Sequence, residues 1–272
     1  MKKKFLPTKY NYLLPFKTEC LRIGLKQDGG YVIRKNELNS VEKIISLGMG
    51  SNYEDWSFEL DFLKRKKNLQ IFFYDYTVSK KNYLFGIFRV FRRFIKFRYK
   101  FEDLKKITIN FIYYLRLLKS KNIFHIRKKI CSNPKNSSEE NIKNILKKID
   151  NKNILLKVDI EGTEYEVIDD IFDNCDKVVS IIIEFHNIDK FESIFEKKIK
   201  KLKSKYEIIH VHGNNNDGTL DTNLPITLEV TMVNKKCFKY EDQKFNYNFP
   251  VKNLDYPNNL HKKDIEFCFK ES

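Results

Sequence analysis

The stretch that most constrains the fold of this chain lies at residues 154–168, with the sequence ILLKVDIEGTEYEVI. A mostly aliphatic run ends at Asp159, and polar residues follow through Glu161. Apolar residues then return at helical spacing, at Tyr165, Val167, Ile168, Ile171 and Phe172. This pattern predicts a strand buried on both faces and a helix packed over it. Asp159 and Glu161 are therefore expected at the carboxyl end of a strand, where open α/β sheets bind ligands. In the alternative interpretation, both carboxylates only cap the following helix.

Size and composition are those of one folded domain. The chain has 272 residues, of which 42% are hydrophobic, so it has material for one large core. We expect a single domain over residues 1–272 with a segment inserted at 80–121. The five cysteines are scattered, which argues against a disulfide framework or a structural zinc site. No apolar run is long enough for a secretion signal or a membrane span, so a cytoplasmic location is expected, with peripheral attachment to the inner face of the membrane left open.

A glycine loop follows a second predicted strand. Residues 41–47 lead into Gly48 and Gly50, which permit a sharp turn and close approach of a ligand. The next strand, at 70–78, carries Asp75 near its end, where an acidic side chain is placed to accept hydrogen bonds from ribose hydroxyls. The combination indicates a cofactor that contains adenosine. The third glycine of the dinucleotide fingerprint is missing, which argues against an oxidoreductase.

Two further segments contain local signals for turns and helices. Asp28, Gly29 and Gly30 form a turn signal between short apolar stretches, which predicts a hairpin or a tight loop. Residues 137–140, Ser-Ser-Glu-Glu, are typical of a helix start and precede apolar residues at helical spacing.

Two later strands end in polar residues. The strand predicted at 177–188 contains Glu184 and His186 near its end. The strand that begins at residue 206 carries His210 and His212, which lie two positions apart and so point to the same side. It runs into a loop with Asn214 and Asn215. These polar residues are candidates for ligand binding or catalysis, and equally for polar contacts within the fold.

Most of the positive charge lies in one segment. The net charge is +16, and thirteen Lys or Arg residues against two acidic residues lie between Lys80 and Lys121. Residues 84–100 and 104–118 each show apolar residues at helical spacing with a separate cationic stripe, which predicts two amphipathic helices. A solvated helical hairpin, a lid over the active site and an interfacial helix on anionic lipid are all consistent with this pattern.

Five stretches together resemble a known family, the FkbM-like sugar O-methyltransferases that depend on S-adenosylmethionine. They are DGGYV at 28–32, SLGMG at 46–50, KVDIEGTEYEVI at 157–168, HVHGNN at 210–215 and LDYPNN at 254–259. The resemblance implies a Rossmann-like, doubly wound α/β sheet of seven strands whose last strand is antiparallel. It also implies that Gly48 and Gly50 face the methionine end of the cofactor, that Asp75 faces the ribose, and that Asp28 and Tyr31 help to close the pocket.

We therefore expect an S-adenosylmethionine-dependent O-methyltransferase acting on a sugar that is nucleotide-linked, lipid-linked or polysaccharide-bound. The general base is expected to be His212 or His186, because imidazole titrates near physiological pH, with Asp159 orienting the acceptor. In a second version Asp159, with Glu184 or His186, holds a divalent metal ion. The expected acceptor-binding residues are Glu161, Glu184, His210, Asn214 and Asn215.

Two other functions stay open at this point. A nucleic-acid methyltransferase would use the basic segment to bind phosphates, but no recognised RNA- or DNA-binding motif accompanies it. A non-enzymatic adaptor would dock on anionic membranes through residues 84–118. It would have no affinity for the cofactor.

Overall fold

A computed structural model describes residues 4–96, 98–149, 153–238 and 245–270. Its main sheet has seven strands, which in chain order are β1 (Lys43–Leu47), β2 (Gln70–Tyr74), β3 (Ile123–Ile126), β4 (Ile154–Val158), β5 (Val178–Phe185), β6 (Tyr206–Gly213) and β7 (Leu228–Asn234). Across the sheet their order is β6-β7-β5-β4-β1-β2-β3. The apolar run at 154–158 forms the central strand β4 and is buried throughout, as its composition predicted.

Only the last strand of this sheet is antiparallel to its neighbours. β1 pairs in parallel with β2 and β4, while β7 lies between β5 and β6 and pairs antiparallel with both. The parallel strands bring their carboxyl ends to one edge, where Asp159 follows β4 and Asp75 follows β2. The predicted doubly wound sheet with an antiparallel last strand is confirmed.

Helices cover both faces of the sheet. They are α1 (Glu37–Ser40), α2 (Ser57–Arg65), α3 (Lys80–Ile95), α4 (Phe101–Leu117), α5 (Ile142–Lys147), α6 (Glu164–Asp173) and α7 (Ile188–Lys203), with short 3-10 turns at Thr8–Leu13, Tyr53–Trp56, Cys175–Lys177 and Lys235–Cys237. Apolar residues of α5, α6 and α7 share one core with Ile154, Leu156 and Val158, whereas α2 and α4 share a second core with Leu155. The strand's alternating side chains thus enter two separate cores.

Short strands outside the main sheet position the rim of the site. The predicted antiparallel hairpin is formed by Cys20–Ile23 and Tyr31–Arg34. It lies against the sheet, where Thr231 Oγ1 donates a hydrogen bond to the Val32 carbonyl oxygen at 2.8 Å. Lys129–Ile130 pairs in parallel with Glu139–Glu140, and Asn248–Phe249 pairs antiparallel with Phe267–Cys268.

The segment at 80–121 consists of two helices, α3 and α4, packed against each other. A Cβ atom on Gly86 would lie 2.5 Å from Ile107 Cδ1, so this glycine permits the close approach. The predicted helix at 84–100 includes residue 97, which lies outside the described residues. No helix that the structure describes has both the length and the apolar character needed to cross a membrane.

The helix expected to start at residues 137–140 begins later. Glu139 and Glu140 form a short strand, and α5 starts at Ile142, where the Asn141 side chain accepts a hydrogen bond from Asn144 N at 2.8 Å. Glu140 is instead held by Lys128 at 3.1 Å and Lys148 at 2.7 Å. Asn141 is as good a helix cap as serine, and the pairing of Glu139–Glu140 with Lys129–Ile130 keeps these two residues extended.

Candidate active site

One cavity of about 830 Å³ opens at the carboxyl ends of β1, β2, β4 and β5. The residues predicted for the site that line it are Asp28, Tyr31, Gly48, Gly50, Asp75, Asp159, Glu161, Glu184, His186 and Asn214. Three others, His210, His212 and Asn215, are not part of its lining. The fold therefore joins the glycine loop with the acidic residues that end β4 and β5.

The glycine loop is held tightly between β2 and β4. Gly48 and Gly50 have φ values of +82° and +70°, which side chains rarely allow. A Cβ atom on Gly48 would lie 1.6 Å from the Asp159 carbonyl oxygen. Asp75 accepts a hydrogen bond from Met49 N at 2.9 Å, and it also accepts bonds from the backbone and hydroxyl of Thr77, both at 2.6 Å. This end of the cavity therefore has a rigid backbone and one buried carboxylate.

The N-terminal hairpin closes the cavity from above the sheet. The Tyr31 hydroxyl lies 3.2 Å from Asp159 Oδ2 and 3.4 Å from Glu184 Oε2, and it donates to this pair of carboxylates. Burial, with the charges of Asp159 and Glu184, raises the pKa of Tyr31 well above its usual value, so the hydroxyl stays a neutral donor. Asp28 Oδ1 accepts from Gly29 N at 2.9 Å and from Asn258 Nδ2 at 3.3 Å, which ties the hairpin turn to the C-terminal segment.

Asp159, Glu184 and His186 form a compact cluster beyond the hairpin. One ligand-type atom from each lies within 4.8 Å of the others. Glu184 Oε1 accepts a hydrogen bond from Asn214 Nδ2 at 2.7 Å and lies 3.9 Å from His186 Nε2. Glu161, which is largely exposed, reaches to 3.8 Å from the same nitrogen.

The pKa values of the cluster are shifted because several acidic side chains lie close together in a buried environment. Burial raises the pKa of Asp159 to about 6 against the opposing charges of Lys157 and His186. Burial, then the charges of Asp159 and Glu229, raise the pKa of Glu184 well above its usual range. Burial alone would lower the pKa of His186, but its hydrogen bond to Glu164 and the surrounding carboxylates outweigh that and raise it to about 10. This crowding therefore favours a proton or another cation among the carboxylates.

Two buried residues that support the cluster were not identified from the sequence. Glu164, wholly buried at the first turn of α6, accepts hydrogen bonds from Ile160 N at 3.2 Å and Gly162 N at 3.0 Å, and its Oε1 lies 3.0 Å from His186 Nδ1. Lys157 points from β4 over the Tyr31 ring at 4.7 Å. The available signals were an acid just after the DIEG turn and a lysine inside an otherwise aliphatic strand.

His210, His212 and Asn215 hold the C-terminal segment. His210 Nε2 bonds to Asp255 Oδ1 at 2.7 Å, and Asn215 Nδ2 donates to the Asn259 carbonyl oxygen at 2.9 Å. His212 is 2% exposed and lies between Glu229 at 3.4 Å and Asp264 at 3.2 Å.

This arrangement argues against the predicted role of His212 as the general base. Burial would lower the pKa of His212, but Glu229 and Asp264 together raise it well above its usual value. His212 has a carboxylate beside each ring nitrogen and does not line the cavity, so its imidazole does not face a hydroxyl bound there.

The helical hairpin α3–α4 touches the glycine loop directly. The Tyr83 hydroxyl donates to the Ser51 carbonyl oxygen at 2.6 Å, and Asn110 Nδ2 donates to Asn52 Oδ1 at 3.1 Å. Ser51 and Asn52 line the main cavity and also a neighbouring cavity of about 370 Å³ between the loop and the hairpin. The hairpin therefore forms one wall beside the cofactor loop.

The outer face of α3 is apolar and exposed. Its exposed side chains and their exposed fractions are Leu84 55%, Phe85 58%, Phe88 58%, Phe91 46% and Ile95 59%. Arg89, Arg92 and Arg93 lie on the same helix. A soluble surface rarely presents so many large apolar side chains together without a partner.

Comparison with protein-family models matches residues 119–222 to the family described as the methyltransferase FkbM domain. This range contains the DIEG turn, Asp159, Glu184, His186 and the HVHGNN strand end. Over these residues the match confirms the resemblance to FkbM methyltransferases that the motifs indicated. No curated protein matches the chain.

Solved structures similar to this chain include three methyltransferases. Precorrin-6y C5,15-methyltransferase from Geobacter metallireducens is 11% identical, with 73% of this chain and 84% of that chain covered and a TM-score of 0.34. A putative methyltransferase from Thermobifida fusca is 9% identical, with 73% and 75% covered and a TM-score of 0.38. The Pyrococcus abyssi tRNA (uracil-54, C5)-methyltransferase, in complex with S-adenosyl-L-homocysteine, is 15% identical, with 79% and 44% covered and a TM-score of 0.31. At these values the similarities carry no argument about substrate.

Proposed function

We propose that this chain, an FkbM-family methyltransferase that uses S-adenosylmethionine, transfers the methyl group to a hydroxyl of a sugar. The observation that carries the proposal is the shared cavity. It joins a glycine loop and a buried acid, Asp75, to a cluster of carboxylate, imidazole and amide groups around Asp159. Neighbouring carboxylate and amide groups are the hydrogen-bonding partners that adjacent sugar hydroxyls require.

The cofactor occupies the end of the cavity at β1 and β2 in this proposal. Gly48 and Gly50 line this end beside the methionine part, and Asp75 accepts a hydrogen bond from a ribose hydroxyl. Three of the acceptor positions on Asp75 are already used by Met49 and Thr77, so the carboxylate is held in place for this contact. Asp28 and Tyr31 close the cavity from the hairpin side.

The acceptor sugar occupies the end at β4 and β5. Asp159, Glu161 and Glu184 accept hydrogen bonds from its hydroxyls, and His186 and Asn214 line the same wall. The reacting oxygen is aligned with the methyl carbon of the cofactor. As the new carbon–oxygen bond forms, the carbon–sulfur bond breaks and S-adenosylhomocysteine leaves. The hydroxyl proton passes to one of the carboxylates at this end of the cavity.

Methyl transfer to a panel of sugars tests this function. The full chain is incubated with S-adenosylmethionine and nucleotide-linked, lipid-linked and polysaccharide-bound sugars, and products are detected by the mass increase of one methyl group. We expect transfer to one sugar class, with a loss of about a hundredfold or more in Asp159→Asn. The matched control is Glu192→Gln, because Glu192 pairs with Lys9 at 2.6 Å and does not line the cavity. Methylation of RNA or DNA, of nitrogen alone, or full activity in Asp159→Asn would overturn the proposal.

The α3 face supports a second part of the proposal, attachment to an anionic membrane surface. Its exposed aromatic and aliphatic side chains suit the lipid headgroup region, and the arginines beside them complement anionic lipid. Because α3 and α4 touch the glycine loop, docking through this face would bring the cavity close to the bilayer. A lipid-linked sugar is the acceptor that this arrangement favours.

Vesicle sedimentation tests the membrane attachment. We expect the chain to bind vesicles of phosphatidylcholine mixed with phosphatidylglycerol, and to bind less at high salt because surface charges are screened. No binding to these vesicles, or equal binding to phosphatidylcholine alone, would contradict the attachment and leave the transfer reaction to be judged separately.

A further inference from the structure

We propose that Asp159, Glu184 and His186, which converge at the carboxyl ends of β4 and β5, bind one divalent cation at the acceptor end of the cavity. The binding stands on the geometry of these three side chains. Its role in catalysis rests on the proposed sugar methylation.

The spacing of the three side chains suits a shared ion. Their ligand atoms lie within 4.8 Å of one another. Within the described ranges 4–96, 98–149, 153–238 and 245–270, this is the group of three such side chains close enough to share a metal ion. His186 Nε2 lies 3.9 Å from Glu184 Oε1, which is too far for a hydrogen bond. Two ligand atoms that each lie about 2.1 Å from one ion are about 3–4 Å apart, so this gap can hold a shared ion.

The surroundings of His186 give a second, independent indication. Its Nδ1 lies 3.0 Å from Glu164 Oε1, and Glu164 is wholly buried and fixed by two backbone N–H groups. This contact orients the ring and leaves Nε2 directed toward Glu184 and Glu161. A histidine that binds metal through one ring nitrogen usually donates the other to a carboxylate in this way.

The other two ligands are also held by partners. Tyr31 donates to Asp159 Oδ2 at 3.2 Å, and Asn214 donates to Glu184 Oε1 at 2.7 Å. Such outer contacts keep metal ligands in place before the ion arrives.

The negative charge around the three side chains also favours binding of a cation. Besides the two ligand carboxylates, Glu161 and Glu164 lie around His186. Lys157, a buried lysine beside the cluster, shares its single positive charge with Glu59, which lies 3.5 Å away. A bound divalent cation would offset the excess negative charge that burial otherwise makes costly.

The donor set indicates an ion of the Mg²⁺ or Mn²⁺ class. Two carboxylates favour hard cations, one imidazole is tolerated by Mn²⁺, and three protein ligands leave positions free for substrate oxygens. Two adjacent sugar hydroxyls would occupy these positions, and the ion would lower the pKa of the reacting hydroxyl. Since Asp159 and Glu184 would then be ligands, Glu161 is the carboxylate left to receive the hydroxyl proton as the carbon–oxygen bond forms.

Manganese titration of the full chain tests the site. Calorimetry or the loss of the free Mn²⁺ spin-resonance signal should show one ion bound per chain, without S-adenosylmethionine or acceptor. Glu184→Gln and His186→Gln should each weaken Mn²⁺ binding at least tenfold, and Glu164→Gln should weaken it about tenfold to a hundredfold through the histidine. Asp217→Asn is the matched control, because Asp217 lines the same cavity outside the cluster and should leave Mn²⁺ affinity unchanged.

The outcomes separate the site from the proposed function. Absence of Mn²⁺ binding to the wild type, or unchanged binding in both Glu184→Gln and His186→Gln with native circular dichroism spectra, would overturn the site. Sugar methylation that persists after exhaustive chelation would overturn the catalytic role of the ion and leave the methyltransferase proposal intact. Mn²⁺ binding without methylation of any sugar would count against the proposed function alone.

Discussion

Replacing Gly48 by alanine tests how closely the two ends of the cavity are joined. Gly48 has a φ of +82°, and a Cβ atom there would meet the Asp159 carbonyl oxygen at 1.6 Å. The two strand ends cannot separate freely, because Asp159 N donates to the Leu47 carbonyl oxygen at 2.9 Å. The alanine must therefore displace the segment that carries the acceptor cluster.

Gly218 offers a matched control for the backbone part of this cost. It also has a φ of +82°, but a Cβ atom there meets nothing within 4 Å. Gly218→Ala should cost about 1–2 kcal/mol for the left-handed conformation. Gly48→Ala should cost this amount and about 1–3 kcal/mol more for the overlap. The effect of the substitution on the unfolded chain is the same in both variants and cancels in the comparison.

Urea denaturation followed by circular dichroism measures this difference in the free energy of unfolding. Titration with S-adenosylmethionine adds a functional measurement, in which Gly48→Ala should weaken binding and Gly218→Ala should not. Equal stability of the two variants, within about 0.5 kcal/mol, would show that the strand ends relax freely and would refute the reasoning.

Three further predictions concern other parts of the molecule. Asp75→Asn should weaken S-adenosylmethionine binding about tenfold to a hundredfold in a calorimetric titration, because a hydrogen bond to a charged group contributes about 1.5–3 kcal/mol, and an unchanged dissociation constant would contradict the ribose contact. Phe88→Ser should reduce binding to anionic vesicles by up to about a hundredfold, since its exposed half corresponds to about 100 Å² at about 25 cal/mol per Å². Leu260→Ser, 62% exposed in the C-terminal segment, is its control and should bind vesicles as the wild type does. Burial raises the pKa of Glu37 to about 7, so the wild type should lose about 3 kcal/mol of unfolding free energy through this group as pH rises from about 4.5 to about 7. Glu37→Gln should lack that loss in denaturation curves at the two pH values, and an identical pH slope would contradict the assignment.

Local patterns predicted most of the sheet because strands buried on both faces are continuous apolar runs in the sequence. Apart from Lys157, β4 is aliphatic on both faces, so its composition predicts a strand buried on both faces. The sequence also predicted the loop at Gly48 and Gly50 and the turn at Asp28. Positive φ values and tight turns restrict which residues can occupy such positions.

The start of α5 shows where local signals compete. Residues 137–140 and Asn141 both satisfy the preference for a helix cap. The helix starts after Asn141 because Glu139–Glu140 pair with Lys129–Ile130 and Glu140 is held by Lys128 and Lys148. These contacts lie outside the few residues that a cap signal compares.

The roles of the histidines depended wholly on tertiary contacts. The sequence spacing predicted that His210 and His212 lie on one side of β6. It did not predict on which side of the strand the cavity would lie. Asp255 and Asp264, far along the chain, engage these two rings, and His186 alone of the predicted candidate bases reaches the cavity.

By itself the sequence determined the class of sheet, the glycine loop and the acids that end its strands, because these follow from hydrophobic periodicity and backbone geometry over a few residues. Only the tertiary structure decided that Glu164 orients His186, that Tyr31 joins Asp159 to Glu184 and that His212 is sealed away. Each of these is a contact between segments distant in the chain, and its direction is set by packing, which no local pattern encodes.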